Sequence, residues 1–87
     1  MSHRRLATEL LKIHEGYMQK VYRCSSGVLT VGYGRNLEAR GLTEAEAEFL
    51  LKNDIAEADT WLNENLEYYK QLSTSRKSAL IDMYVNL

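Results

Sequence analysis

Residues 13–37 have the sequence IHEGYMQKVYRCSSGVLTVGYGRNL, and this stretch decides the fold. The apolar spacing of a helix stops at Gly16, and two segments rich in β-branched and aromatic residues follow, at residues 20–24 and 28–33. They are separated by Ser-Ser-Gly at residues 25–27, which is typical of a turn. We therefore predict an antiparallel hairpin that directly follows a helix.

Two glycines, Gly32 and Gly34, interrupt the second predicted strand. A glycine within a strand pattern indicates a bulge or a close approach of the backbone to another group. The two glycines do not form a phosphate-binding loop, because neither G-x-G-x-x-G nor G-K-[ST] follows them.

The segment before the hairpin has the spacing of an amphipathic helix. Its apolar residues recur at i, i+4 and i+7, as Leu6, Leu10 and Ile13. Ser2 is a candidate N-cap. The pattern predicts a helix over residues 2–14 with one buried stripe.

Two downstream segments contain residues that are typical of the beginning of a helix. Thr-Glu-Ala-Glu at residues 43–46 predicts a capping box, in which the Thr43 hydroxyl accepts a hydrogen bond from the backbone N–H of Glu46. Apolar residues then keep helical spacing over several turns, which predicts a single long amphipathic helix. Leu-Ser-Thr-Ser at residues 72–75 supplies N-cap candidates for a last helix from Arg76 onward.

The last predicted helix is apolar around nearly its whole circumference. Its apolar residues are Ala79, Leu80, Ile81, Met83, Tyr84, Val85 and Leu87. Such a helix is typical of the interior of a core, yet the sequence ends at Leu87. Two interpretations stay open, a structural segment that needs missing neighbours and an assembly surface. We therefore expect a homo-oligomer or a missing C-terminal segment.

Composition limits the class of protein. The chain has 87 residues, with 11 Lys and Arg against 12 Asp and Glu, and a formal net charge of −1. This length predicts one small soluble domain. Because acidic and basic residues are interspersed, we expect no broad basic face and no nucleic-acid partner. The N-terminus has no apolar run long enough for a signal peptide or a membrane helix, so we expect no stable membrane insertion.

Few side chains indicate chemistry by themselves. Glu15 lies where the first helix meets the hairpin, although most surface glutamates are only solvated. Cys24, the single cysteine, is either a small apolar residue in the sheet or a nucleophile whose pKa a neighbour lowers. With only His3 and His14 beside this cysteine, the sequence predicts no metal site and no cofactor.

Taken together, residues 13–37 resemble the active-site segment of the phage lysozyme (endolysin, muramidase) family. Glu15, Cys24 and Thr30 reproduce the family's pattern of Glu, eight residues, Asp or Cys, five residues, and Thr. The family's G-x-x-T-x-G-x-G motif is matched by Gly27, Thr30, Gly32 and Gly34.

Two downstream segments extend the resemblance. Residues 41–55, GLTEAEAEFLLKNDI, are similar to a second family motif, and residues 76–86, RKSALIDMYVN, are similar to the start of the core helix in the family's second lobe. Because three separate motifs occur in the right order, the resemblance is specific, and it covers residues 6–87.

The resemblance implies a peptidoglycan substrate and cleavage of the β-1,4 bond between N-acetylmuramic acid and N-acetylglucosamine. It implies that Glu15 is the general acid, that Thr30 helps to position the attacking water, and that Cys24 occupies a position usually held by a second carboxylate. A thiol is a poorer general base than a carboxylate unless it is ionised. The substrate-binding residues that it implies are Gly32, Tyr33 and Asn86.

For the fold, the resemblance implies a mostly helical, lysozyme-like α+β architecture with a small antiparallel sheet. Residues 1–87 are expected to comprise the first lobe, the connecting helix and the first core helix of an incomplete second lobe. We expect a host-lysis enzyme that stays in the host bacterial cytoplasm before its release to the cell wall. The alternative is a truncated, non-catalytic remnant that acts as a wall-binding or assembly module.

Overall fold

The computed structural model describes residues 2–86 and confirms a mostly helical α+β fold with a small antiparallel sheet. Its contacts divide the chain into two compact units, Met1–Leu42 and Thr43–Leu87. The first unit holds the sheet and the second is helical. Over residues 2–86, the structure has no helix that is both long enough and apolar enough to cross a membrane.

The first unit begins with helix α1, His3–Glu15. The Ser2 hydroxyl accepts a hydrogen bond from the backbone N–H of Arg5 at 3.1 Å, which confirms the predicted N-cap. At the other end, the N–H of Gly16 donates to the carbonyl of Lys12, so the helix ends at the predicted glycine.

The prediction that one stripe of α1 is buried is wrong. Leu6, Leu10 and Ile13 are 49%, 45% and 76% exposed. The sheet of the same unit has strands of six, four and two residues, and these short strands are too small to cover a helix of 13 residues.

The sheet has the strand order β1-β2-β3, with β1 over Met18–Arg23, β2 over Leu29–Gly32 and β3 over Arg35–Asn36. The predicted hairpin is confirmed, because β1 and β2 are antiparallel and are joined through the turn at residues 25–27. The pairing of β1 with β2 is irregular between Met18 and Tyr22 of β1. The bulge that the glycines indicated for the second strand therefore lies in β1, the strand that pairs with it.

Two short elements that the sequence pattern did not predict complete the first unit. They are β3 and helix α2, Leu37–Arg40, whose N-cap Asn36 accepts from the N–H of Ala39 at 3.0 Å. The Arg35 guanidinium donates to the carbonyl of Gly41 at 3.1 and 3.3 Å, which ties the end of α2 to the sheet.

The second unit begins with helix α3, Glu44–Asn65. The capping box is confirmed, since the Glu46 N–H donates to the Thr43 hydroxyl at 3.2 Å and the Thr43 N–H donates to the Glu46 carboxylate at 2.8 Å. A 3₁₀ turn at Tyr69–Gln71 precedes helix α4, Thr74–Val85.

Helix α4 begins earlier than predicted, because Ser73 caps it by accepting from the N–H of Arg76. The buried residues of the second unit are Ala58, Leu62 and Tyr69, and none of them lies on α4. Among the described residues this helix therefore has no buried side chain, and both interpretations of it, a segment that needs missing neighbours and an assembly surface, stay open. Within its unit only α3 and the 3₁₀ turn are available to pack against it. Leu87, part of the same prediction, lies outside the described residues.

Candidate active site

Glu15 is the last residue of α1, and its side chain contacts the loop between β2 and β3. A Cβ atom built on Gly34 would lie 2.9 Å from Cδ and 2.9 Å from Oε2 of Glu15. The carboxyl group therefore rests directly on the backbone of this loop. The end of α1 and Gly34, which are separated in sequence, therefore meet at Glu15.

Thr30 lies in the central strand of the sheet and is 5% exposed. Its neighbours across the sheet are Tyr22 on β1 and Asn36 on β3. The Thr30 hydroxyl donates to the carbonyl of Val28 at 2.9 Å. A hydroxyl oxygen that donates its hydrogen can also accept a hydrogen bond.

Cys24 follows β1 and is half-buried. Its Sγ lies 3.3 Å from the hydroxyl oxygen of Ser26, and its N–H donates to the carbonyl of Val28 at 2.9 Å. The hydrogen bond with the Ser26 side chain is the main reason that the pKa of the Cys24 thiol is lowered from 9.0 to about 7, with bonds to the backbone of Val28 and Ser26 and to the Thr30 hydroxyl adding to it. Partial burial opposes the shift. The thiol is therefore substantially ionised at neutral pH.

Tyr33 lies in the β2–β3 loop between Gly32 and Gly34 and is 48% exposed. Its ring packs against Tyr17 with the centroids 5.7 Å apart, and the ammonium group of Lys12 lies 5.5 Å from the Tyr33 centroid. Tyr17 and Lys12 were not predicted from the sequence. No local pattern could have found them, because their contact partner is far away along the chain.

Glu38 is a third residue that was not predicted from the sequence. Its carboxylate accepts from the backbone N–H of Leu29 at 3.1 Å and lies 3.6 Å from the guanidinium of Arg23. Arg23 also donates to the carbonyl of Gly27 at 2.9 Å. These contacts connect α2, β2 and the turn, and so support the hairpin that carries Cys24.

Asn86 lies in the second unit, at the C-cap of α4. Its Nδ2 donates to the carbonyl oxygen of Asp82 at 2.9 Å and to the carboxylate of the same residue at 2.8 Å. In this structure the Asn86 amide therefore completes the end of its own helix. Among residues 2–86 no group of three or more His, Cys, Asp or Glu is placed to hold a metal ion.

Comparison with known proteins adds to this geometry. The sequence profile of the phage lysozyme family matches residues 12–87. The chain belongs to the phage lysozyme family. It is also 32% identical over 81 residues to an endolysin of Acyrthosiphon pisum secondary endosymbiont phage 1, an alignment that covers 90% of this chain and 54% of that endolysin. The chain thus spans about half the length of this endolysin.

Proposed function

We propose that the chain provides the catalytic residues of a peptidoglycan hydrolase that cleaves the β-1,4 bond between N-acetylmuramic acid and N-acetylglucosamine. The observation that carries the proposal is the contact of the Glu15 carboxyl with the Gly34 backbone, in the same unit as Cys24 and Thr30. Membership of the phage lysozyme family supports the same chemistry. Its site of action would be the host cell wall, reached after release from the cytoplasm.

In the proposed reaction Glu15 donates its proton to the glycosidic oxygen as the bond from that oxygen to the anomeric carbon breaks. A water molecule attacks the anomeric carbon and forms the new C–O bond. The Cys24 thiolate accepts the proton that this water loses, a role that a pKa of about 7 suits because the base must be ionised near neutral pH. The acceptor oxygen of Thr30 orients the water.

For the substrate, we propose that the glycan strand lies along the β2–β3 loop. Gly32 there has no side chain, so a sugar ring can approach the backbone, and the exposed ring of Tyr33 offers an apolar surface. Asn86 is proposed as a further substrate contact. Its amide would have to exchange a bond to Asp82 for one to the substrate.

Replacement of the acid tests the proposal. Glu15→Gln keeps the size of the side chain but removes its transferable proton, so the rate at which purified cell walls lose turbidity should fall by about 10² to 10⁴. Glu9→Gln is the matched control, because Glu9 lies on the same helix and is exposed beside Arg5. Circular dichroism of both variants checks that the fold is retained.

The second candidate function, a non-catalytic wall-binding module, gives a different result in the same experiment. A chain that sediments with purified walls but does not clear them would be a binding module. Undiminished clearing by Glu15→Gln would instead remove Glu15 from the catalytic role.

A further inference from the structure

We propose that Gly34 is a positioning residue, whose lack of a side chain leaves room for the Glu15 carboxyl beside the β2–β3 loop. A Cβ at Gly34 would lie 2.9 Å from both Cδ and Oε2 of Glu15 and 3.0 Å from its Cγ. Real Cβ atoms essentially never approach another heavy atom more closely than 3.0 Å. The significance for catalysis rests on the proposed function, whereas the contact itself does not.

Gly34 is the glycine at which a side chain would clash with a neighbouring residue, whereas the other four glycines have open space at the Cβ position. All five glycines have positive φ, which by itself disfavours any L-residue. At Gly16, Gly27, Gly32 and Gly41, however, a Cβ would meet nothing within 4 Å. Backbone conformation therefore explains the other glycines, while Gly34 has a second, steric reason that involves one side chain, Glu15.

The space at Gly34 affects the position of the Glu15 carboxyl, which is the proposed proton donor. The side chain of Glu15 extends from the last turn of α1, where rotation about its χ angles would otherwise let the carboxyl move in solvent. With glycine at position 34, the carboxyl has room beside the loop backbone. A methyl group at position 34 must push the carboxyl away. Misplacement of a reacting group by about 1 Å can reduce the rate by about 10²-fold.

A double-mutant cycle on the 87-residue chain tests the contact without relying on hydrolysis. Gly34→Ala and Gly27→Ala are each made in the wild-type chain and in Glu15→Ala, and the four melting temperatures are compared with those of their parents. Gly27 is the matched control, since its φ of +81° is close to the +78° of Gly34 and its Cβ position is open.

We expect Gly27→Ala to lower the melting temperature equally in both backgrounds, because it adds only backbone strain. Gly34→Ala should lower it slightly more in the wild type than in Glu15→Ala, because the flexible end of the Glu15 side chain must shift in the wild type and is absent in Glu15→Ala. A Gly34→Ala loss that is the same in both backgrounds, including failure to fold in both, would overturn the proposal.

Activity provides the second measurement. On purified walls, Gly34→Ala should lower kcat by about 10²-fold with little change in KM, because the acid is displaced while the glycan surface remains. Gly41→Ala, with an open Cβ position, should retain the wild-type kcat. An unchanged kcat in Gly34→Ala would overturn the positioning role. A wild-type chain that clears no walls would contradict the proposed function alone and leave the cycle intact.

Discussion

At the scale of single residues, the thiol of Cys24 raises the main chemical question in the candidate site. A cysteine with its ordinary pKa is mostly protonated at neutral pH and is a poor base. Here the hydroxyl of Ser26, 3.3 Å from Sγ, stabilises the thiolate, and the pKa is lowered to about 7. The Ser26 hydroxyl in the neighbouring turn therefore lowers the pKa of the thiol, as the proposed role of base requires.

The ionisation of Cys24 can be measured directly. The rate of alkylation by iodoacetamide should rise with pH with a midpoint near 7, because only the thiolate reacts. Ser26→Ala should move this midpoint upward, toward the ordinary value of 9.0, since it removes the largest stabilising contact. A midpoint that is unchanged in Ser26→Ala would show that the hydroxyl does not tune the thiol.

Replacement of Cys24 tests its role in the reaction. Cys24→Asp should retain or raise wall hydrolysis, and Cys24→Ala should lower it, because only the first variant keeps an ionisable base. In the wild type, activity should be lost as pH falls below about 7, where the thiolate is protonated, and Cys24→Asp should remain active at lower pH. Full activity of Cys24→Ala would show that the residue only packs in the sheet.

At the scale of elements, local capping signals explain where the long helices begin. Ser2, Thr43 and Ser73 each accept a backbone N–H in the first turn of the helix that follows. These bonds form between residues three apart in sequence, so the pattern alone predicted Ser2 and Thr43 and included Ser73 among the candidates. Exposure of the helix faces depends instead on which other elements are present to cover them.

Loss of the cap of α3 should weaken the second unit. Thr43→Ala removes the acceptor for the Glu46 N–H and should cost about 1 kcal/mol, or about 4 to 8 °C in melting temperature. Thr60→Ala, also on α3 but within the helix, is the control and should leave the melting temperature unchanged or slightly higher. Equal effects of the two variants would mean that the cap contributes nothing measurable.

The 3₁₀ turn is joined to α3 by a hydrogen bond from the Tyr69 hydroxyl to the Asp59 carboxylate at 2.5 Å. This bond, together with burial and the negative charge of Asp59, raises the pKa of Tyr69 to about 12. Because the folded-state pKa is above the unfolded value of 10.0, the stabilisation is fully present below pH 10 and is lost as pH rises toward 12.

Removal of this hydroxyl should therefore lower stability at neutral pH. Tyr69→Phe is expected to reduce the melting temperature by several degrees and to eliminate the phenol that titrates near pH 12. Tyr68→Phe is the control, since Tyr68 is 54% exposed. If the two variants melt at the same temperature, the bond to Asp59 does not stabilise the second unit.

At the scale of the whole molecule, the second unit leaves an apolar groove uncovered between α3 and α4. The groove has a volume of about 280 Å³, and its lining residues are Leu51, Ile55, Ser78, Ile81, Asp82 and Val85. An exposed apolar surface of this kind is typical of an interface.

Association through this groove stays a prediction, which sedimentation at micromolar concentration tests. We expect the 87-residue chain to be a homodimer or larger, and we expect Ile81→Glu with Val85→Glu to shift it toward monomer, because an unpaired charge is costly to bury. Met83→Glu is the control, since Met83 is 65% exposed and does not line the groove. A wild-type chain that sediments as a stable monomer would contradict the prediction.

The sequence by itself determined the features that depend on neighbouring residues. The start of α3 at Thr43, the end of α1 at Gly16 and the β1–β2 hairpin are local, because each is set by capping or turn chemistry within a few residues. The spacing of Glu15, Cys24 and Thr30 likewise indicated the phage lysozyme family before any geometry was known.

Only the tertiary structure decided the features that depend on distant residues. The contact of Glu15 with Gly34 and that of Lys12 with Tyr33 join segments that are far apart in sequence. The spacing of apolar residues along the chain does not predict such contacts. The exposure of the α1 stripe was decided in the same way, because an apolar pattern specifies which face a helix can bury but does not specify whether an element is present to cover it.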